Sequence, residues 1–271
     1  GLQSVDGKQY YFQYGRVCRS QKVKADGKLY VADRNGDLIE AKNNVWIKVD
    51  GEYYYAKDNE FLTNCVAKIG NAWYGFNGLG QMYASEAFSI WDEESGTDYY
   101  YLAKADGSLY AGGWHEIHRG VYSEWSYYGA DGKGYEGIQT VNGKQYYFRH
   151  GRMYTERAVT VDGTSYLCRE DGSLQVLKNN VWTYYNGYYY YVKDNQVLSD
   201  CIAKIGSSYY GFRANGMMYD EEWFEISGYD ENGDWWRHTY FAKAGGALYL
   251  NSWVKKYDKW YYVGADGAAY T

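Results

Sequence analysis

Near the end of the chain Trp253 and Trp260 stand seven residues apart in "WVKKYDKWYYVGADG", a stretch that also holds three tyrosines and three lysines. The same anchor-and-partner spacing joins Trp46 to Tyr53 and Trp182 to Tyr189, and a longer gap joins Trp114 to Trp125. Paired rings can do two kinds of recognition. The negative face of an aromatic ring attracts a cation, most usefully one that cannot donate a hydrogen bond. The same face, being flat and apolar, can take the C–H side of a sugar while nearby polar groups fix its hydroxyls. Rings in strands also serve simply as cross-strand partners, worth a fraction of a kcal/mol to ~1 kcal/mol per pair. For any single tyrosine here, packing is the plainer reading.

Other chemistries find less support. His115, His118, His150 and His238 do not recur at equivalent places and carry no HExxH-like spacing. No GxSxG or glycine-rich phosphate loop is present, and the glycines are accounted for by turns. No catalytic residue, metal ligand or cofactor site is therefore assigned. The acidic stretches "WDEESGTD" at Trp91 and "YDENGDWWRH" at Tyr229 lack a calcium-ligand register and read as solvated loops. The second is expected to place Trp235 and Trp236 on an exposed loop. Four cysteines in 271 residues make no disulfide framework. Cys65 and Cys201 match between the halves of the chain, Cys18 and Cys168 do not, and no zinc spacing appears. They read as small buried thiols.

The elements that must position these rings are strands. Tyrosine and tryptophan are abundant (37 and 11), glycine numbers 33, and proline is absent. This composition suits pleated, half-buried surfaces joined by tight turns, with most backbone N–H groups serving in ladders. No capped helical pattern is evident. The class is all-β. Internal repetition organises it. "KNNVWIKVDGEYYYAKDNEFLTNCVAKIG" at Lys42 returns as "KNNVWTYYNGYYYYVKDNQVLSDCIAKIG" at Lys178, an offset of 136 residues (178 − 42). The chain reads as one continuous repeat array over 1–271, made of duplicated halves 1–136 and 137–271. Each half holds six smaller units of anchor, turn, aromatic strand, glycine turn and short second strand, about twelve in all. The anchors are Gln3, Val23, Trp46, Val66, Phe88 and Trp114, then Gln139, Val159, Trp182, Ile202, Phe224 and Trp253. Recurrent Asp-Gly and Asn-Gly pairs, as in "ADG" at Ala25, Ala105, Ala130 and Ala265, predict hairpin turns. An isolated hairpin is marginal in water, whereas stacked hairpins share an apolar axis as a β-solenoid.

These units resemble the cell-wall-binding, or choline-binding, repeats of Gram-positive surface proteins and phage lysins. "SWVKKYDKWYYVGADGAAYT" at Ser252 carries the motif most fully, and "GGWHEIHRGVYSEWSYYGADGKGY" at Gly112 carries it with an insertion. "IQTVNGKQYYFRHGRMYT" at Ile138 is similar to the glucan-binding repeats of glucansucrases and the oligosaccharide-binding repeats of clostridial toxins. The resemblance covers essentially the whole chain. It implies a left-handed solenoid of about three units per turn, which would bring the Trp-bearing third, sixth, ninth and twelfth units to one flank. It also implies choline cages built from rings of neighbouring hairpins, with Trp46 and Tyr53, Trp114 and Trp125, Trp182 and Tyr189, and Trp253 and Trp260 as the candidate rings. The twelfth unit has no hairpin after it in this chain, so its cage is expected to be incomplete. Gln139, Lys144 and Tyr146 suggest polysaccharide contact.

The net charge of −6 with scattered lysines argues against a nucleic-acid groove or an anionic membrane surface. No apolar run approaches a membrane span and no signal peptide is recognisable. If Gly1 is a scar of tag removal, a longer exported precursor is expected, with additional domains in the full-length protein. The expectation is a non-catalytic, secreted or wall-associated bacterial module that attaches to choline-bearing teichoic acid or a glycan polymer. The competing expectation is a rod-like spacer or adhesin whose aromatics only pack and whose loops meet a protein.

Overall fold

Every regular element in the computed structural model, which describes residues 1–229 and 231–270, is a short strand paired antiparallel with a neighbour in sequence. The chain forms two compact bodies, Gly1–Glu136 with Phe148–Met153, and Gly137–Tyr147 with Tyr154 onward.

Strand alternation explains why hairpins form. In Trp46–Val49 the residues run half-buried, buried, exposed, buried, so Ile47 and Val49 enter the core while Trp46 and Lys48 face outward. The turns divide into two classes. Hairpin turns such as Asn186–Gly187 have positive φ at both positions (49° and 86°), the geometry that matches strand twist. "ADG" at Ala25 belongs to this class. At Ala105, Ala130 and Ala265 the same letters do different work, and the hairpin-turn expectation is corrected there. Asp106 keeps an ordinary φ, only Gly107 is positive, and the Gly107 amide donates to the Lys104 carbonyl at 2.9 Å. These turns follow a hairpin and send a tail back to the preceding one. Met82 N donates to Tyr53 O, Leu109 N to Trp73 O and Gly134 N to Tyr100 O, each at 2.8 Å. In the second body Met218 N, Leu248 N and Ala269 N donate in the same way to Tyr189, Tyr209 and Thr239, also at 2.8 Å. These bonds couple consecutive hairpins within each body.

The apolar interior is correspondingly a series of small clusters. Leu29, Val31, Ile47, Val49 and Tyr54 form one in the first body. Ala158, Leu167, Tyr190, Val192 and Met217 form its counterpart in the second. All four cysteines are free. Cys18 and Cys168 are buried, while Cys65 and Cys201 are only half-buried, so the buried-thiol expectation holds fully for the first two. Burial pushes the Cys168 thiol up to about 12.

The two clusters differ in one polar detail. The Tyr54 hydroxyl is hydrogen-bonded by Gln81, whereas its counterpart Tyr190 is fully buried with no partner for its hydroxyl. The sequence supplies the reason: Gln81 is replaced in the second copy by Met217, which cannot satisfy a phenol. An unsatisfied buried hydroxyl costs ~1–3 kcal/mol. Tyr190→Phe is therefore expected to stabilise the protein by about 1 kcal/mol, and Tyr54→Phe to destabilise it by about 1 kcal/mol. Urea midpoints of the two variants check the opposite signs.

Candidate aromatic binding sites

The indole of Trp46 is held by its own strand partner and by the next hairpin. Tyr55 lies directly opposite in the ladder, with ring centroids 5.0 Å apart. Tyr53 is at 6.4 Å and edge-on, Tyr74 of the following hairpin at 4.9 Å, and Phe76 at 5.9 Å nearly parallel. The second copy repeats the arrangement around Trp182. Tyr191 is at 4.8 Å, Tyr189 at 6.2 Å, Tyr210 at 5.0 Å and Phe212 at 6.0 Å. Trp114 has Tyr127 opposite at 5.1 Å, Trp125 edge-on at 6.5 Å and Phe148 at 5.7 Å. Each of these three tryptophans is half-buried, with Tyr53, Trp125 and Tyr189 more exposed beside it.

Beside Trp46 opens a cleft of about 550 Å³ lined by Tyr53, Tyr74, Met82, Glu52 and Asp106. The Asp106 carboxyl is held below its ordinary range by hydrogen bonds from the Ser108 hydroxyl (2.7 Å) and backbone N–H (3.0 Å). Two carboxylates thus face an aromatic and thioether wall. That combination suits a cation lacking hydrogen-bond donors, and its acceptors also suit sugar hydroxyls.

The polar surroundings of the copies have diverged. Lys-Ala-Asp-Gly at Lys104 becomes Lys-Ala-Gly-Gly at Lys243, and Ala84 becomes Asp220. Asp220 Oδ1 accepts from the Gly245 and Gly246 amides at 2.7 and 3.1 Å, so the carboxylate is supplied from a different strand connection. Lys48, whose ammonium lies 4.8 Å from the Tyr53 ring, becomes Tyr184, whose ring lies 4.9 Å from Tyr189.

The sequence-derived pairs are thus adjacent at three sites. In each, though, the nearest ring on the return strand is the one two places further on, Tyr55, Tyr127 or Tyr191. Those rings were not singled out from sequence, nor were Tyr74, Phe76, Tyr210, Phe212 and Met82. Strand period two was the available signal: in "YYY" the first and third rings share a face.

The fourth pair is different. Trp253 lies opposite Tyr262 at 5.3 Å, Trp260 lies opposite Lys255, and no ring contact joins Trp253 to Trp260 among the described residues. Both indoles are more than 60 % exposed (64 % and 62 %), an open half of the arrangement seen elsewhere.

One expectation needs correcting. Trp235 and Trp236 are not on a loop; they begin the strand Trp235–Phe241, opposite Tyr229 and Gly228. Only Trp235 is well exposed, for Trp236 packs on its cross-strand glycine and against the apolar cluster of that hairpin. In the acidic stretch at Trp91, Asp92 accepts from the Ser95 N–H (2.7 Å) and hydroxyl (2.8 Å), which hold its carboxyl below the usual range. It serves a turn. Asp230 of the second stretch lies outside the described residues. Lys144, offered as a polysaccharide contact, pairs with Asp171 at 3.2 Å.

No protein-family profile matches the chain. Glucosyltransferase-I of Streptococcus downei is 25% identical over 99% of this chain and 18% of its own length. Glucosyltransferase-S of Streptococcus mutans serotype c is 27% identical over 94% of this chain and 16% of its own length. The chain therefore spans less than a fifth of these curated relatives. The solved structure of choline binding protein F from Streptococcus pneumoniae is 22% identical, with 100% of this chain and 98% of that chain covered, at a TM-score of 0.32. In sequence the chain is similar to a small part of these streptococcal glucosyltransferases.

Proposed function

We propose that this chain is a non-catalytic binding module of an exported bacterial surface protein, and that it holds a polymer through repeated aromatic sites. The polymer is choline-bearing teichoic acid or a glycan, and the scaffold is a solenoid of twelve hairpin units, six in each half. The backbone bonds from each tail to the hairpin before it support serial stacking.

One observation carries this reading. The five-ring clusters at Trp46 and Trp182 agree to within 0.2 Å in every centroid distance (6.4 and 6.2, 5.0 and 4.8, 4.9 and 5.0, 5.9 and 6.0 Å). That agreement persists although Lys48 and Tyr184, at the rim, have been exchanged. Trp114 stands three units after Trp46, and Trp253 three after Trp182. With three units per turn, the two members of each pair return to one flank of their half. Weak sites so arrayed add by avidity when one polymer engages several of them. The relatives' glucosyl transfer is not carried over, because the chain matches only a small part of each of them.

A second reading has its own support. Phe76 and Phe212, which lie nearly parallel to the anchor indoles, are completely buried, so part of each cluster is packing, as the spacer reading requires.

Titrating choline and isomalto-oligosaccharides while following tryptophan emission separates the two. A saturable change with at least one ligand class is expected. A flat response to both, from folded protein, would sink the binding reading and leave the spacer.

A further inference from the structure

Outside the anchors, a further group of rings lies between the hairpin Trp223–Tyr229/Trp235–Phe241 and the following hairpin Ser252–Lys256/Lys259–Val263. Trp223 is opposite Phe241, with centroids 3.6 Å apart. Tyr261 of the next hairpin lies 4.9 Å from Trp223 and 5.8 Å from Phe241. This repeats the plan of Trp46 with Tyr55 and Tyr74: an indole, its cross-strand ring, and a ring from the return strand of the next hairpin. Phe224, read as the anchor from sequence, points the other way into the core and is buried. In the first half the position of Trp223 is Ala87, so this cluster has no counterpart there.

The cluster already holds a cation. Lys256 Nζ lies 5.5 Å from the Trp223 centroid, 6.0 Å from Phe241 and 5.3 Å from Tyr257. Among the described residues no carboxylate is within ion-pair distance of this ammonium; the neighbouring Lys255 is the one that meets Asp258, at 3.4 Å. Three ring faces around an ammonium with no anionic partner are the geometry of an occupied cation site. The hairpin turn fixes the lysine there. Tyr257 and Asp258 both adopt positive φ (47° and 61°) without a glycine, so Lys256 ends its strand directly beside Tyr257.

We infer that Trp223, Phe241 and Tyr257 form an alkylammonium site whose resident ligand is Lys256, so that an outside ammonium binds there only when that side chain is removed. The lysine fills the volume an outside cation would need and repels a second positive charge. It thereby makes this cluster a structural joint between hairpins.

The test uses the full chain labelled with 5-fluorotryptophan, with the Trp223 resonance assigned by its loss in Trp223→Phe. Tetramethylammonium chloride is the probe. The wild-type Trp223 signal is expected to stay put, and the Lys256→Ala signal to shift saturably, with an apparent affinity at least about tenfold above wild type. Lys256→Met, an uncharged plug of similar length, is expected to stay closed. An unmoved Trp223 signal in folded Lys256→Ala overturns the inference, and so does an equal shift in wild type. If Lys256→Ala fails to fold, Lys256→Ser is titrated in its place under the same criteria. The inference does not rest on the polymer-binding reading, which the Trp182 resonance reports separately in the same titration.

Discussion

Gly211→Ala is expected to destabilise the protein by about 2–3 kcal/mol, although replacing a strand glycine by alanine ordinarily helps by ~0.5–1 kcal/mol. The sign reverses because of what a Cβ would meet. At Gly211 it would lie 2.2 Å from the tip of the Phe224 ring, and at Gly75 it would lie 2.1 Å from the tip of Phe88. Neither glycine has a positive φ, so backbone strain plays no part. The rings cannot swing aside. Phe224 is stacked face to face with Tyr219 at 3.8 Å and with Tyr240 at 5.6 Å, and Phe88 with Tyr83 at 4.0 Å and Tyr101 at 5.3 Å. Each glycine therefore lets a phenylalanine of the next hairpin press on the backbone of the one before it. Urea denaturation of Gly211→Ala, Phe224→Leu and the double variant measures the effect. If the clash is the cause, the shorter side chain relieves it and the two costs fall well short of adding. Additive costs would mean that the glycine matters for some other reason.

These glycines mark where sequence reasoning reached its limit. Strand class, hairpin boundaries and the duplicated halves follow from period-two alternation and from repeated strings, both local properties. Gly75 and Gly211 sit inside strands, in "WYGF" and "YYGF", yet the glycines were all read as turn residues. A strand glycine signals close approach of something, but its partner is a ring belonging to another hairpin. The aromatic sites show the same division. Trp46, Trp114 and Trp182 stood out because tryptophan recurs in phase at the anchor position. Their nearest rings hid among many tyrosines, and only the period-two alternation of the strand tells Tyr55 from Tyr54. Trp223 was missed through an off-by-one choice of anchor: the hydrophobic Phe224 looked like the repeat's marker, and the two adjacent rings face opposite sides of the sheet. The Ala-Asp-Gly turns at Ala105, Ala130 and Ala265 were misread because the same letters also make a turn with positive φ at glycine alone, closed by a single antiparallel bridge such as Ala103 with Leu109.

Trp182→Ala should produce the largest combined loss, in stability and in ligand retention together. The indole touches two rings of its own hairpin and two of the next, so it couples consecutive units as well as lining a site. Truncating a buried tryptophan costs ~3–5 kcal/mol, and half-burial scales that here to about 2–3 kcal/mol. Trp253→Ala offers the contrast. With one ring neighbour and nearly two-thirds of its surface exposed, its loss should cost no more than about 1 kcal/mol. Thermal unfolding of the pair tests this difference directly. The effect on binding is best read from Trp182→Phe, which keeps a flat apolar side chain against Tyr191 and Phe212 while shrinking the ring face offered to a ligand. Retention of choline or isomalto-oligosaccharide by Trp182→Phe should fall several-fold beside a much smaller change in melting temperature than that of Trp182→Ala. Were retention unchanged in Trp182→Phe and lost only in variants that unfold, the indole would be a packing element. The repeated ring geometry would then describe how hairpins stack, and the spacer reading would take its place.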